Sequence, residues 1–180
     1  MEEHQDIINE CWRSISGYIN YQVSNIGRIR NAKTGRIKAV RQDKDGYLLV
    51  ELCQDGTQKG LRIHRLVAQE FLDNHEDKPN VDHIDGVRTN NCVSNLRWAS
   101  TRENNRNQRK REGKSSRFKG VSWITRDVIW QSGIKHNGKS MNLGRFNHEK
   151  DAARAYNEKA LELFGEFACL NEISDSETEA

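Results

Sequence analysis

Long apolar runs are what this sequence lacks most. Only 34% of its 180 residues are hydrophobic. No stretch approaches the roughly 18–20 consecutive apolar residues that a membrane-spanning helix needs. That excludes an integral membrane protein and argues against one large continuous core. Cysteine is sparse and dispersed: Cys11, Cys53, Cys92 and Cys169 form no C-x-x-C pair, so a zinc ribbon or finger is disfavoured. The thiols read as reduced, small apolar fillers in a cytosol-like compartment. Residues 1–10 are acidic and lack an apolar stretch, so no secretory signal is expected. The expected location is the cytoplasm, or a host-cell interior for a phage or viral protein. Internal repeats, Walker-type phosphate loops and dinucleotide fingerprints are missing too.

Charge is plentiful and unevenly placed. The net +3 conceals acidic ends: Glu2, Glu3, Asp6 and Glu10 open the chain, and Glu172, Asp175, Glu177 and Glu179 close it. Residues 11–171 therefore hold all 29 Lys and Arg against 18 acids. A body that basic favours a polyanionic partner, most simply nucleic acid. Trp12, Trp98, Trp123 and Trp130, spread among Ile, Leu and Val, argue for a folded chain.

Local patterning divides the chain into three parts. Residues 11–64 read as β-rich, because short apolar clusters alternate with Asn25-Ile-Gly27, Asp45-Gly46 and Asp55-Gly56, and such glycines supply the positive φ of hairpin turns. Leu61-Arg-Ile63-His64 reads as a further strand, with His64 closing it, and residues 65–72 as a short helix. Residues 73–112 carry Val81-Asp-His-Ile-Asp-Gly86, a polar loop with Asn90-Asn91, Ser94-Asn-Leu-Arg-Trp98, and a helix opened by the capping box Ser100/Glu103 and ending near 112. Residues 113–116 read as a basic linker. Residues 117–171 read as strands over 118–124, 129–136 and 140–146, then a helix over 148–164 capped by Asn147 and ended by Gly165. Residues 172–180 read as a disordered acidic tail.

The residues that could carry chemistry lie in the middle part. Phosphodiester hydrolysis needs an activated water, neutralised phosphate charge and a stabilised leaving oxygen. A neutral imidazole can take the proton of water near pH 7. A carboxylate beside it, facing an amide oxygen from a helix, offers hard ligands to a divalent ion. His83, Asp82 and Asn104 supply those groups if strand, loop, strand and helix fold back on one another. Asp85-Gly86 reads as a turn, and His4, His75, His136 and His148 as surface residues.

Val81-Asp-His-Ile-Asp-Gly86, Asn90-Asn91, Asn95-Leu-Arg-Trp98 and Glu103-Asn104, with His64-Arg-Leu-Val-Ala68 and Phe71 upstream, resemble the HNH endonucleases of the zinc-free branch found among phage and intron homing enzymes. The resemblance implies a ββα-metal fold. Within it His83 is the general base, Asp82 and Asn104 hold the metal, and Asn95 braces the loop and helps to hold His83. Asn104 stands where the family's naming histidine can stand, which favours Mg²⁺ or Mn²⁺ over softer ions and implies no zinc.

Two flanking resemblances complete the picture. Trp12-Arg-Ser-Ile-Ser-Gly-Tyr18 and Tyr21-Gln-Val-Ser-Asn-Ile-Gly-Arg28-Ile-Arg30 resemble the nuclease-associated modular domain. It implies DNA binding through a strip that includes Arg28 and Arg30; the rival reading is a scaffold that completes the nuclease core. Phe118-Lys-Gly-Val121, Trp130-Gln-Ser-Gly-Ile-Lys135, Leu143-Gly-Arg-Phe146 and Ala152-Ala-x-Ala-Tyr156 resemble the APETALA/ethylene-response-factor DNA-binding domain. That implies a three-stranded sheet in the major groove, with Lys119, Ser122, Arg126, Ser132, Lys135, Lys139, Ser140 and Asn142 as face candidates. Arg102, Arg106, Arg109, Lys110 and Arg111 would run along the phosphate backbone.

The expected fold is thus α+β and multi-module. A β-rich amino-terminal module (11–63) precedes a central ββα-metal HNH unit (64–112), the linker (113–116), and a three-stranded antiparallel sheet packed on one helix (117–171). The expected function is a site-directed, metal-dependent DNA endonuclease of the homing type acting on double-stranded DNA, with no membrane partner. It is expected to be a monomer, with a dimer as one route to double-strand cleavage. The alternative is a sequence-specific DNA-binding regulator with an inactive HNH core.

Overall fold

The computed structural model describes residues 9–108 and 115–174. The chain forms two compact units, Met1–Thr101 and Arg102–Ala180. All strand pairs among the described residues are antiparallel.

In the first unit, strands β1 (Trp12–Ile15), β2 (Tyr18–Ser24) and β3 (Ile29–Asn31) form one sheet in chain order. A second sheet comprises β4 (Val40–Gln42), β5 (Leu48–Gln54) and β6 (Thr57–Arg62). The β5–β6 hairpin closes through Asp55 and Gly56 at φ 50° and 76°. Two consecutive positive φ values match the right-handed twist of the flanking strands. Helix α1 (Ile63–Phe71) follows directly. Ile63 and His64 therefore open this helix and do not extend the strand, as the sequence had suggested. No side chain caps the helix start, so the sequence carried no signal there. A third, two-stranded sheet pairs β7 (Asn80–His83) with β8 (Leu96–Ala99).

Helix α1 is the hub of the unit. Ile63, Leu66 and Val67, spaced for one helical face, join Ile15, Val23 and Ile29 of the first sheet in one cluster. Val50 and Leu52 of the second sheet and Val81 and Leu96 of the third belong to the same cluster. The stretches read as separate modules, 11–63 and 64–112, thus share a single apolar core. Each fully buried Val, Leu or Ile contributes about 1.5–3 kcal/mol, so neither stretch keeps its core without the other.

Helix α2 (Thr101–Arg106) leads into the second unit. It is shorter than the sequence suggested. Residues 109–114, including Arg109, Lys110 and Arg111, lie outside the described residues, as do residues 175–180 of the acidic tail. Strands β9 (Val121–Ile124), β10 (Ile129–His136) and β11 (Lys139–Phe146) form a sheet in the order β11-β10-β9, backed by helix α3 (Glu149–Phe164). The β10–β11 turn uses Asn137 and Gly138, both at positive φ. Ala152, Ala153 and Ala160 are fully buried, which lets helix and sheet approach closely. Gly120 takes part in that approach, since a Cβ there would lie 2.0 Å from the Tyr156 ring. Three positions differ from the reading of the sequence. The residue preceding α3 is His148, not Asn147, and it makes no side-chain cap bond. Ser132 is fully buried and so leaves the sheet's outer face. His136, read as a surface residue, stacks on Phe164 at 5.7 Å.

Candidate active site

Asp82 and His83 end strand β7, and pairing with β8 sets Asp82 opposite Arg97 and His83 opposite Leu96. Alternation along a strand sends neighbouring side chains to opposite faces, so the carboxylate and the imidazole have different neighbours. Both are only 5% exposed. Arg97 donates to Asp82 Oδ2 from Nε at 3.0 Å and from Nη2 at 2.9 Å. A buried carboxylate with its counter-charge in place avoids the cost of an isolated ion.

His83 Nε2 lies 3.1 Å from Asn91 Oδ1. An amide oxygen only accepts, so the ring proton sits on Nε2 and the lone pair on Nδ1. Burial holds the His83 pKa below its usual value, against the opposing pull of the Asn91 hydrogen bond and of Asp85 and Asp82. The imidazole is therefore neutral at physiological pH and can accept a proton.

The loop between β7 and β8 is organised by Asp85 and Asn95. Asp85 accepts from Val87 N at 2.7 Å, Asn90 Nδ2 at 2.8 Å and Asn95 Nδ2 at 2.9 Å. Asn95 Nδ2 also donates to Asn90 O at 2.9 Å, and its Oδ1 accepts from Asp85 N at 3.0 Å. Burial pushes the Asp85 pKa up, yet hydrogen bonds from Asn90, Val87 and Asn95 hold it below the usual carboxylate value. Asp85, read as a mere turn residue, is the centre of this network. The amide of Asn95 is engaged inside the loop, and Asn91 hydrogen-bonds the His83 ring.

Behind His83 lies a ring cluster. His64, 5% exposed, stands 5.1 Å from His83 edge to face and 4.8 Å from Tyr47. Arg62 and Arg88 cover Tyr47 at 4.3 and 5.1 Å. Burial, followed by the charges of His83, Arg62 and Arg65, pushes the His64 pKa down to about 3. Its Nδ1 finds no hydrogen-bond partner among the described residues.

Asn104 sits half-buried on α2, five residues beyond the end of β8. Its chain order relative to Asp82 and His83 is strand, loop, strand, helix. Among the described residues no group of three or more His, Cys, Asp or Glu side chains is arranged to hold a metal, and no helix is long and apolar enough to cross a membrane.

The residues expected to meet DNA divide by environment. Arg28 pairs with Glu10, with Nε to Oε1 at 2.8 Å. Arg30 stacks on Trp12 at 4.2 Å and donates to Gln22 at 2.8 Å. In the second unit Lys119 Nζ donates to the carbonyls of Arg106 and Gln108 at 2.6 and 2.7 Å, and burial pushes its pKa down. Arg106 covers Phe164 at 4.8 Å and, with Arg102, lines a cavity of about 610 Å³ that also holds Lys119 and Lys135. Arg126 pairs with Asp127 at 2.8 Å. Lys135 and Lys139 are exposed on β10 and β11. Arg97 and Asn91 escaped the sequence reading as site residues. Strand pairing is the signal for Arg97, which stands opposite Asp82.

Comparison with known proteins adds an independent line. Residues 61–106 match the HNH endonuclease family and residues 10–53 match the NUMOD4 motif. DNA endonuclease I-HmuI of Bacillus phage SP01 is 41% identical over 101 residues, which are 56% of this chain and 58% of that protein. The uncharacterized HNH endonuclease L245 of Acanthamoeba polyphaga mimivirus is 39% identical over 93 residues, 52% of this chain and 28% of that protein. Protein 3.8 of Escherichia phage T7 is 33% identical over 88 residues, 49% of this chain and 72% of that protein. The chain thus spans only part of the length of the first two. A solved structure described as "DNA binding and cleavage by the HNH homing endonuclease I-HmuI" superposes with a TM-score of 0.51 at 40% identity, covering 54% of this chain and 57% of that one. With the strand, loop, strand and helix order around a buried Asp82-His83 pair, these likenesses agree: the chain belongs to the HNH endonuclease family.

Proposed function

We propose that this protein is a site-directed DNA endonuclease of the homing type that hydrolyses a phosphodiester of double-stranded DNA, with His83 as the general base. The observation that carries the reading is the state of His83. It is buried, its Nε2 lies 3.1 Å from Asn91 Oδ1, burial holds its pKa below the usual value, and it is adjacent in sequence to the buried carboxylate of Asp82. A base in that state can draw a proton from water through Nδ1 without first losing one of its own.

Asp82 would offer a carboxylate to a hard divalent ion, and Asn104 is the amide oxygen that the family resemblance would add. One carboxylate oxygen is already engaged by Arg97, so the protein offers few donors and suits an ion that retains most of its waters, such as Mg²⁺ or Mn²⁺. The chemistry such an ion supplies is neutralisation of charge on the scissile phosphate and on the departing 3′ oxygen. Asn95 fixes the loop that presents His83, through its bonds to Asp85 and Asn90. Arg97 keeps the Asp82 carboxylate oriented. Arg30, Arg102, Arg106, Arg126, Lys135 and Lys139 would provide the basic surface for the phosphate backbone, while Lys119 and Arg28 are engaged within the protein.

The test is nicking of supercoiled plasmid carrying a library of candidate sites, with Mg²⁺ or with EDTA, beside His83→Ala. Metal-dependent nicking that disappears in the variant, with DNA affinity retained, is the expected result. Salt-sensitive binding with no cleavage of any substrate would overturn it in favour of a DNA-binding regulator.

A further inference from the structure

The β2–β3 turn of the amino-terminal sheet touches the site loop by backbone. Ser24 N donates to Arg28 O at 2.8 Å and Arg28 N to Ser24 Oγ at 3.0 Å, which fixes the turn. Asn25 O then accepts from Val93 N at 2.7 Å. Gly27, at φ +82°, closes the contact: a Cβ on it would lie 2.7 Å from Asn91 Cβ and 3.2 Å from Asn91 O. Only a residue without a side chain permits this approach. Asn91 is 4% exposed, and its Oδ1 receives the His83 Nε2 proton.

We propose that the amino-terminal sheet is a working part of the catalytic centre: its Ser24–Arg28 turn, through Gly27, seats Asn91, and Asn91 fixes the plane and the proton position of His83. The proposal rests on the reading of His83 as the base. Gly27 and Asn91 are positioning residues, since neither is placed against the reacting atoms. The logic is that of an orienting partner on the far nitrogen of a working histidine, which selects the tautomer and holds the ring. The turn and the loop are far apart in sequence, yet the core shared by Val23, Ile29, Val81 and Leu96 holds them together. The sheet's contribution is therefore geometric and does not require it to touch DNA.

The test uses the full chain. Gly27→Ala adds both backbone strain and the collision with Asn91. Gly35→Ala adds the strain alone, because Gly35 has φ +70° and nothing within 4 Å of a Cβ. Asn91→Leu removes the acceptor at similar volume, and Asn91→Asp restores an oxygen acceptor. Cleavage rate at saturating protein should fall about 10- to 100-fold in Gly27→Ala and in Asn91→Leu. Gly35→Ala should keep the parent rate, Asn91→Asp should recover most of it, and DNA affinity should be unchanged throughout. A hydrogen-bonded His83 ring N–H resonance should be present in the parent, Gly35→Ala and Asn91→Asp, and absent in Gly27→Ala and Asn91→Leu. The NMR arm needs no cleavage, so loss of the resonance in a protein that cuts nothing would sink the nuclease reading and leave the positioning intact. Equal behaviour of Gly27→Ala and Gly35→Ala, or parent-like cleavage and resonance in Asn91→Leu, would overturn the proposal. If Gly27→Ala does not fold, the Asn91 pair decides alone.

Discussion

Both units tie cations into ion pairs, among them Arg126 and Arg145 with Asp127 in the second, but they differ in which basic residues are left over. In the first unit the guanidinium groups are largely turned to internal work. Arg97 holds Asp82, Arg62 holds Asp43 and Asp45, and Arg28 holds Glu10. In the second unit the sheet is held to its helix by small and apolar residues, including Ala152, Ala153, Ala160 and Tyr156. There Lys135 and Lys139 stand exposed, with no ion-pair partner among the described residues. Positive charge in the sequence thus has two physical meanings. One is a scaffold for a buried polar site, and the other is an exposed surface, which the proposed function assigns to DNA.

The largest expected effect that sharpens this comparison is Arg97→Leu. It removes the counter-charge of a buried carboxylate, and losing one partner of a buried pair costs about 3–5 kcal/mol; the midpoint of urea denaturation checks it. Asn95→Ala comes next. It leaves the Asp85 amide and the Asn90 carbonyl without partners, at a cost of about 1–3 kcal/mol, and it should slow cleavage because the His83 loop loosens. The pH dependence of stability follows. The folded pKa of His64 is about 3 against an ordinary 6.5, so the folded chain binds fewer protons than the unfolded chain between those values. Stability is full above pH 6.5 and falls as the pH drops toward 3. Between pH 6.5 and 5 the loss from this group is about 2 kcal/mol, and denaturation of His64→Phe should show a flatter profile. The smallest effect on stability is at Lys135→Ala with Lys139→Ala, within about 0.5 kcal/mol. Yet this pair should lower DNA affinity and reduce the slope of log affinity against log salt by about 2.

Some of this was legible in the sequence, and for definite reasons. The hairpin at Asp55-Gly56 could be read because such residues readily take consecutive positive φ values. The Asp82-His83 pair and the Asn95 brace position stood out through motif and spacing. What escaped depends on residues far apart in the chain. The start of α1 carries no cap, so Ile63 and His64 looked like strand. Arg97 becomes a partner of Asp82 only once β7 and β8 are in register. Asn91 and Gly27 meet only because one core draws two stretches together. No local pattern encodes that contact.

The central claim is that chemistry resides at His83 in the first unit, while outward cations of the second unit supply affinity. The most direct test measures single-turnover DNA cleavage at saturating protein, together with DNA affinity, for His83→Ala and for Lys135→Ala with Lys139→Ala. The account predicts that the histidine variant binds like the parent and does not cut, and that the lysine variant binds more weakly and cuts at the parent rate once saturated. Persistent cleavage in His83→Ala, or a lysine variant that binds normally and cuts slowly, would contradict it.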